Sequence, residues 1–164
     1  MKTKESMAPD LVAPLHCWDI FSMYLNDLAG KGKRKSELDI LEAFGKRNDW
    51  EIDLNVLLSR SYEALVLTDD KVCIQWVSEG FTKMTGYVKS EVLGRNPSFL
   101  HGENTTVTSR SRVRTQLFGQ GAFSEDLINY RKNGEEYVCR VEIHPIYNSD
   151  DILSHYLALE HEVR

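Results

Sequence analysis

Asn129, Cys139 and His161 stand on segments that otherwise alternate apolar and polar residues, at positions that the alternation turns toward an interior. Thr68, in the apolar run "ALVLT", is a fourth candidate for the same interior. A buried polar group without a hydrogen-bond partner costs roughly 1–3 kcal/mol, so each of these needs company. That company is either one another with ordered water, or a ligand held in a pocket. An amide, a thiol, an imidazole and a hydroxyl supply hydrogen bonds, and the imidazole changes charge near neutral pH.

Other groupings offer no reaction chemistry. His16 and Cys17 are adjacent on a helical stretch, where neighbouring side chains diverge and do not form a thiolate pair. His101, His144, His155 and His161 lack metal-ligand spacing. Cys17, Cys73 and Cys139 are odd in number and contain no C-x-x-C pair, which excludes a disulfide framework and a zinc knuckle. No carboxylate pair, Ser-His-Asp order or phosphate loop stands out, so no enzyme is expected. A formal charge of −5 argues against nucleic acid as a partner and leaves "KGKRK" (31–35) as a solvated linker. No segment reads as a membrane span or a leader peptide, and a cytoplasmic protein with no membrane partner is expected.

These side chains need elements to carry them. A chain of 164 residues, 41% hydrophobic and 27% charged, suits one ordinary domain with an extension. Residues 1–60 read as helical: a first helix from Pro14 through Leu15, Trp18, Phe21, Leu25 and Leu28 to Gly30, a second from Ser36 to Gly45, and a short third after Asp53. From about residue 62 the period changes to two. "ALVLTDDKVCIQWV" predicts a hairpin around Asp69-Asp70-Lys71. Residues 79–118 return to short helices punctuated by Gly86, Gly94 and Gly102, the longest running from about Thr105 to Leu117. Three strands follow, "FSEDLINYR", "EEYVCRVEIHPIY" and "SHYLALEHEV".

The expected fold class is α+β: a five-stranded antiparallel sheet with short helices on one face, and an N-terminal helical cap. In the penultimate strand Tyr137, Cys139, Val141 and Ile143 share the face expected to meet the helices. In the last strand Leu157, Leu159, His161 and Val163 form the apolar side, opposite Tyr156, Ala158, Glu160 and Glu162, which turns His161 inward. "ALVLT" is apolar on both faces and needs a second cover, from the N-terminal helices or a partner chain. "GRNPSFLHG" reads as a helix start, with Asn96 capping, Pro97 at the first helical position and Gly102 ending the turn.

The blocks "FTKMTGY", "SEVLGRNPSFLHGENT", "LINYRKNGEEY" and "IHPIY" resemble a PAS domain over roughly residues 62–163, and within that superfamily its light-oxygen-voltage (LOV) branch. The resemblance implies residues 61–164 as the PAS domain and residues 1–60 as a cap through which such proteins dimerise. In LOV photoreceptors a cysteine that bonds a flavin stands where this chain has Pro97, so the resemblance implies no cysteinyl adduct here. Asn96 and Asn129 match asparagines that bond the flavin's polar edge. Cys139 stands in place of a second such asparagine, and His161 in place of the signalling glutamine. Arg114, with Arg110 one helical turn away, matches a phosphate-binding arginine, while Ser98 replaces another. Val66, Thr68, Phe81, Leu100 and Leu127 match apolar or small pocket positions, and Val141 joins them by strand parity.

Half of the polar flavin contacts are thus retained and half replaced. Three functional readings follow. The first is a non-enzymatic sensory module that binds a small ligand or forms a homodimer through its N-terminal helices and outer sheet face, signalling to a partner in trans. The second is a flavin-binding blue-light receptor working without an adduct, with FMN or another flavin as cofactor. The third is a ligand-free dimerisation scaffold.

Overall fold

The computed structural model of the protein describes residues 16–119 and 121–163, with the side chains of residues 16–21, 23, 24, 26 and 27 outside that description. The expected apolar stripe through Pro14, Leu15, Trp18 and Phe21, and the His16–Cys17 pair, therefore lie outside the described residues. The chain forms two compact units, one ending at Ser36 and one running from Glu37 onward. A single helix, α1 (His16–Asn48), replaces the two helices and linker expected there. Gly30, Gly32 and Gly45 all lie within it. Each glycine costs a helix only about 1 kcal/mol relative to alanine, and no proline interrupts the run, so the expected breaks do not occur. A second helix, α2 (Leu54–Leu58), starts where expected, with Asp53 Oδ1 accepting from Asn55 N at 3.0 Å and Val56 N at 3.1 Å.

The second unit is built on a sheet of five strands among the described residues, in the order β2-β1-β5-β4-β3 and antiparallel throughout. The strands are β1 (Ala64–Asp69), β2 (Ile74–Val77), β3 (Phe123–Tyr130), β4 (Glu136–Tyr147) and β5 (Leu153–Glu162). The first hairpin turns as expected: Asp69 Oδ1 accepts from Lys71 N at 3.0 Å and Cys73 N at 2.8 Å. Between β2 and β3 come α3 (Glu79–Thr85), α4 (Lys89–Val92), a 3-10 helix (Pro97–Leu100) and α5 (Val107–Leu117).

Both faces of the sheet are covered, and by different material. On the inner face Ala64, Val66, Leu127, Tyr137, Cys139 and Val141 pack with Phe81 and Met84 of α3, Val92 of α4 and Leu100. On the outer face Leu65, Leu67, Trp76, Ile146, Leu157 and Leu159 pack with Leu41 of α1 and with Leu54, Leu57 and Leu58. The second cover demanded by "ALVLT" is supplied by this chain's own residues 41–58.

That cover corrects one expectation. Because Leu157 and Leu159 belong to the outer core, His161 shares their side of β5 and does not point toward the helices. The inward set on β5 is Tyr156, Ala158 and Glu160. The four residues from Tyr156 to Leu159 are apolar on both sides, so composition could not tell which side met which cover. A carboxyl, rather than an imidazole, faces the inner side.

Candidate ligand-binding cleft

The helical side of the cleft is built from local signals. Asn96 Oδ1 accepts from Ser98 N at 3.0 Å and caps the 3-10 helix, with Pro97 at its first position, where a missing N–H costs nothing. Phe99 holds the turn from below, edge-on to Tyr87 at 5.0 Å between centroids and under the Arg95 guanidinium at 4.0 Å. Gly102 follows because nothing larger fits: a Cβ there would lie 2.3 Å from the Tyr130 ring. Its N–H donates to Thr105 Oγ1 at 2.9 Å, which in turn donates to Ile128 O at 2.5 Å, tying the loop to β3. Thr106 Oγ1 then caps α5 by accepting from Ser109 N at 3.1 Å. The far end of α5 is held by Tyr156 Oη, which donates to Leu117 O at 2.9 Å.

Between these elements and the sheet lies a cleft of about 920 Å³. Val66, Leu100, Val113, Leu127, Val141 and Ile143 give it apolar walls. Arg110 and Arg114 on α5 and Lys71 in the first turn put cationic groups along it, with Asp70 and His101 also on the lining. Burial, aided by the nearby Arg110 charge, lowers the His101 pKa, which favours the neutral ring. Thr68, Asn129 and Glu160 supply polar atoms from the sheet.

Those sheet atoms are the unusual part. Thr68 Oγ1, Asn129 Oδ1 and Glu160 Oε2 are buried and have no hydrogen-bond partner in the protein. Native proteins pair nearly all such atoms, so three orphans on one sheet face mark a place where water or a ligand completes the set. Burial holds Tyr137 and Cys139 well above their ordinary pKa values, hence uncharged. Burial also pushes the Glu160 carboxyl up to about 7.

Nine of the twelve residues expected at the site line this cleft: Val66, Thr68, Asn96, Leu100, Arg110, Arg114, Leu127, Asn129 and Val141. Three do not. Phe81 and Cys139 are fully buried in the inner core and do not reach the cleft surface, and His161 lies on the other side of β5. Pro97 and Ser98 stand on the wall, and no cysteine is among the lining residues. Glu160 and Tyr156 were missed. The signal that could have found them was the apolar pair Leu157 and Leu159 matching the doubly apolar β1 beside it, since Leu65 pairs with Leu159 and Leu67 with Leu157.

Comparison with known proteins assigns the class. The PAS domain family model matches residues 63–164, and the chain belongs to that family. Its relatives narrow the branch. The blue-light-activated histidine kinase of Brucella ovis is 32% identical over 90 residues, covering 55% of this chain and 18% of that protein. That of Rhizobium johnstonii is 31% identical over 98 residues, covering 58% and 28%. The chain thus spans less than a third of either curated relative. Among solved structures, the light-state blue-light photoreceptor Aureochrome1 LOV superposes with a TM-score of 0.61 at 26% identity, covering 68% of this chain and 90% of that one. The LOV domain of the Erythrobacter litoralis blue-light-activated histidine kinase EL346 gives 0.59 at 26% identity, covering 63% and 98%. Residues 63–164 form a PAS sensory domain of the LOV-like branch. No helix among the described residues is long and apolar enough to cross a membrane.

Proposed function

We propose that this chain is a ligand-sensing PAS module whose cleft holds a planar, largely apolar molecule with a polar edge and an anionic tail. The observation that carries the reading is the set of buried, unpartnered oxygens on Thr68, Asn129 and Glu160 in a cleft with apolar walls. A ligand's polar edge satisfies them, its ring fills the space between Leu100, Leu127 and Val141, and its tail meets Arg110 and Arg114. Among the described residues neither arginine has an ion-pair partner on the protein.

A flavin nucleotide has this shape and charge, and the LOV proteins similar to this chain make it the first ligand to test. When bound, a flavin supplies blue-light absorption and reversible electron uptake. The protein's own part is to orient the ring, exclude water and pass a change at the sheet oxygens to β5. Pro97 on the wall offers no thiol, so the signal is non-covalent. The module is non-enzymatic and acts as a homodimer on a partner in trans; PAS domains commonly dimerise, and Leu25 and Leu28 are exposed on α1 for such a contact.

The test is a visible absorption spectrum and native mass spectrum of the purified chain, before and after incubation with FMN. A flavin spectrum with one FMN per chain supports the reading. A colourless protein with no mass shift and no rise in melting temperature overturns the flavin reading. Arg110→Ala with Arg114→Ala should weaken FMN by roughly tenfold or more while changing riboflavin, which lacks the phosphate, far less.

A further inference from the structure

Glu160 carries a carboxyl into a wall where, among the described residues, no cation pairs with it; the Arg131 guanidinium lies 4.4 Å over the neighbouring Tyr137 ring but is held by Glu162. It is 5% exposed, its Oε2 has no partner, and its cross-strand neighbours are Ala64 and Val141. From β4 the titratable groups on its face are Tyr137 and Cys139, both uncharged through burial. From β1 and β3 come the neutral Thr68 and Asn129. On its own strand Glu162 is committed to Arg131 at 2.7 Å, and Glu125 of β3, opposite Val141, is committed to Arg112 of α5 at 2.5 Å. The remaining charged groups of the cleft, Asp70, Lys71, His101, Arg110 and Arg114, belong to the first turn, the end of the 3-10 helix and α5. Burial is what raises the Glu160 pKa.

We propose that Glu160 engages the cleft's ligand as the protonated acid, donating its O–H to an acceptor on an uncharged end of that ligand, so that binding takes up a proton. The inference rests on the cleft being a ligand site. A carboxylate left unpaired in an apolar wall is costly, whereas the neutral acid keeps one donor and one acceptor. A ligand that fills the cleft strips the last water from Glu160 and favours the neutral form further. Its acidity before binding is already near neutrality, so the proton equilibrium falls in the physiological range. The result is an affinity that weakens as pH rises through neutral, set by one residue of β5.

Riboflavin is the probe, because it has no group that ionises between about pH 6 and pH 9. Fluorescence titrations of the full chain and of Glu160→Gln across that range read the coupling. The wild-type affinity should fall by about tenfold per pH unit above neutrality. The glutamine variant, which keeps a donor and an acceptor without a titrating proton, should show a flat profile across the same range whatever its absolute affinity. A flat wild-type profile, or the same slope in both proteins, overturns the proton coupling and leaves the ligand site standing. Affinity that rises with pH likewise overturns it. Infrared difference spectroscopy of the ligand-free chain supplies a reading independent of any ligand. A protonated-carboxyl band at pH 6 should vanish in Glu160→Gln and at pH 9, and its absence at pH 6 sinks the inference even if no flavin binds.

Discussion

The two faces of one sheet have been finished in opposite ways. The outer face is a closed apolar core of Leu41, Leu54, Leu57, Leu65, Leu67, Trp76, Leu157 and Leu159. Polar groups at its margin are tied: Trp50 Nε1 donates to His155 Nδ1 at 3.2 Å and Tyr62 Oη donates to Glu37 Oε2 at 2.8 Å. The Phe44, Trp50 and His155 rings lock the end of α1 onto this side, with Trp50 and His155 5.0 Å apart edge to face. The inner face has an apolar core toward α3 and α4, then opens into the cleft with its unpartnered oxygens. Every strand but β3 contributes to both sides. The lesson is that a sheet covered twice can spend one face on stability and leave the other incomplete, and the incompleteness is where a ligand finds its hydrogen bonds.

The largest expected effect compares one substitution on the two faces. Leu157→Ala, fully buried in the outer core, should cost about 4 kcal/mol in a urea titration, since a dense core relaxes little around the hole. Leu127→Ala, on the cleft wall, should cost about 2 kcal/mol, because the space it vacates joins an existing cleft that water enters. Equal costs would break the contrast between the faces.

A smaller effect concerns pH. The Glu160 pKa is raised by folding to about 7, so the folded protein binds this proton more tightly than the unfolded chain does. Stability from this group is present in full below the ordinary carboxylate range, declines as pH rises toward 7, and stays lost above it. Glu160→Gln should therefore be more stable than wild type at pH 8, by on the order of 2–3 kcal/mol, and show no such gain at pH 4. A gain that is the same at both pH values would mean that Glu160 is not buried as a titrating acid. The smallest effect lies outside both cores. The bidentate Arg140–Asp126 pair, at 2.7 and 2.8 Å, is exposed, and Arg140's hydrogen bond holds the Asp126 carboxyl below its usual range. Asp126→Asn should leave the urea midpoint almost unmoved, and less so still in high salt.

Much of the architecture was readable because local chemistry and tertiary structure agree. Asn96 followed by Pro97 is a helix start by itself, and the structure caps the 3-10 helix with that side chain. The glycines after α3 and α4, Gly86 and Gly94, sit at φ 77° and 75°, where other residues are strained. Arg110 and Arg114, one turn apart on α5, reach the same cleft because helical spacing brings them to one side. Where the reading failed, two outcomes differed by little local energy. Gly30 and Gly45 disfavour a helix without forbidding it, and α1 runs through both. Cys139 and Phe81 occupy pocket positions by resemblance, yet here they are sealed into the core beside the cleft.

Alternation in the amino-acid order was enough to say which side chains travel together: Tyr156 with Ala158 and Glu160, Leu157 with Leu159 and His161. It could not say which group looks into the cleft. Side-chain period in a strand specifies partners on a face, and the face acquires its identity only from what packs over it. Residues 41–58, folded back over the outer side, made that choice, and in doing so turned a carboxyl rather than an imidazole toward the ligand space.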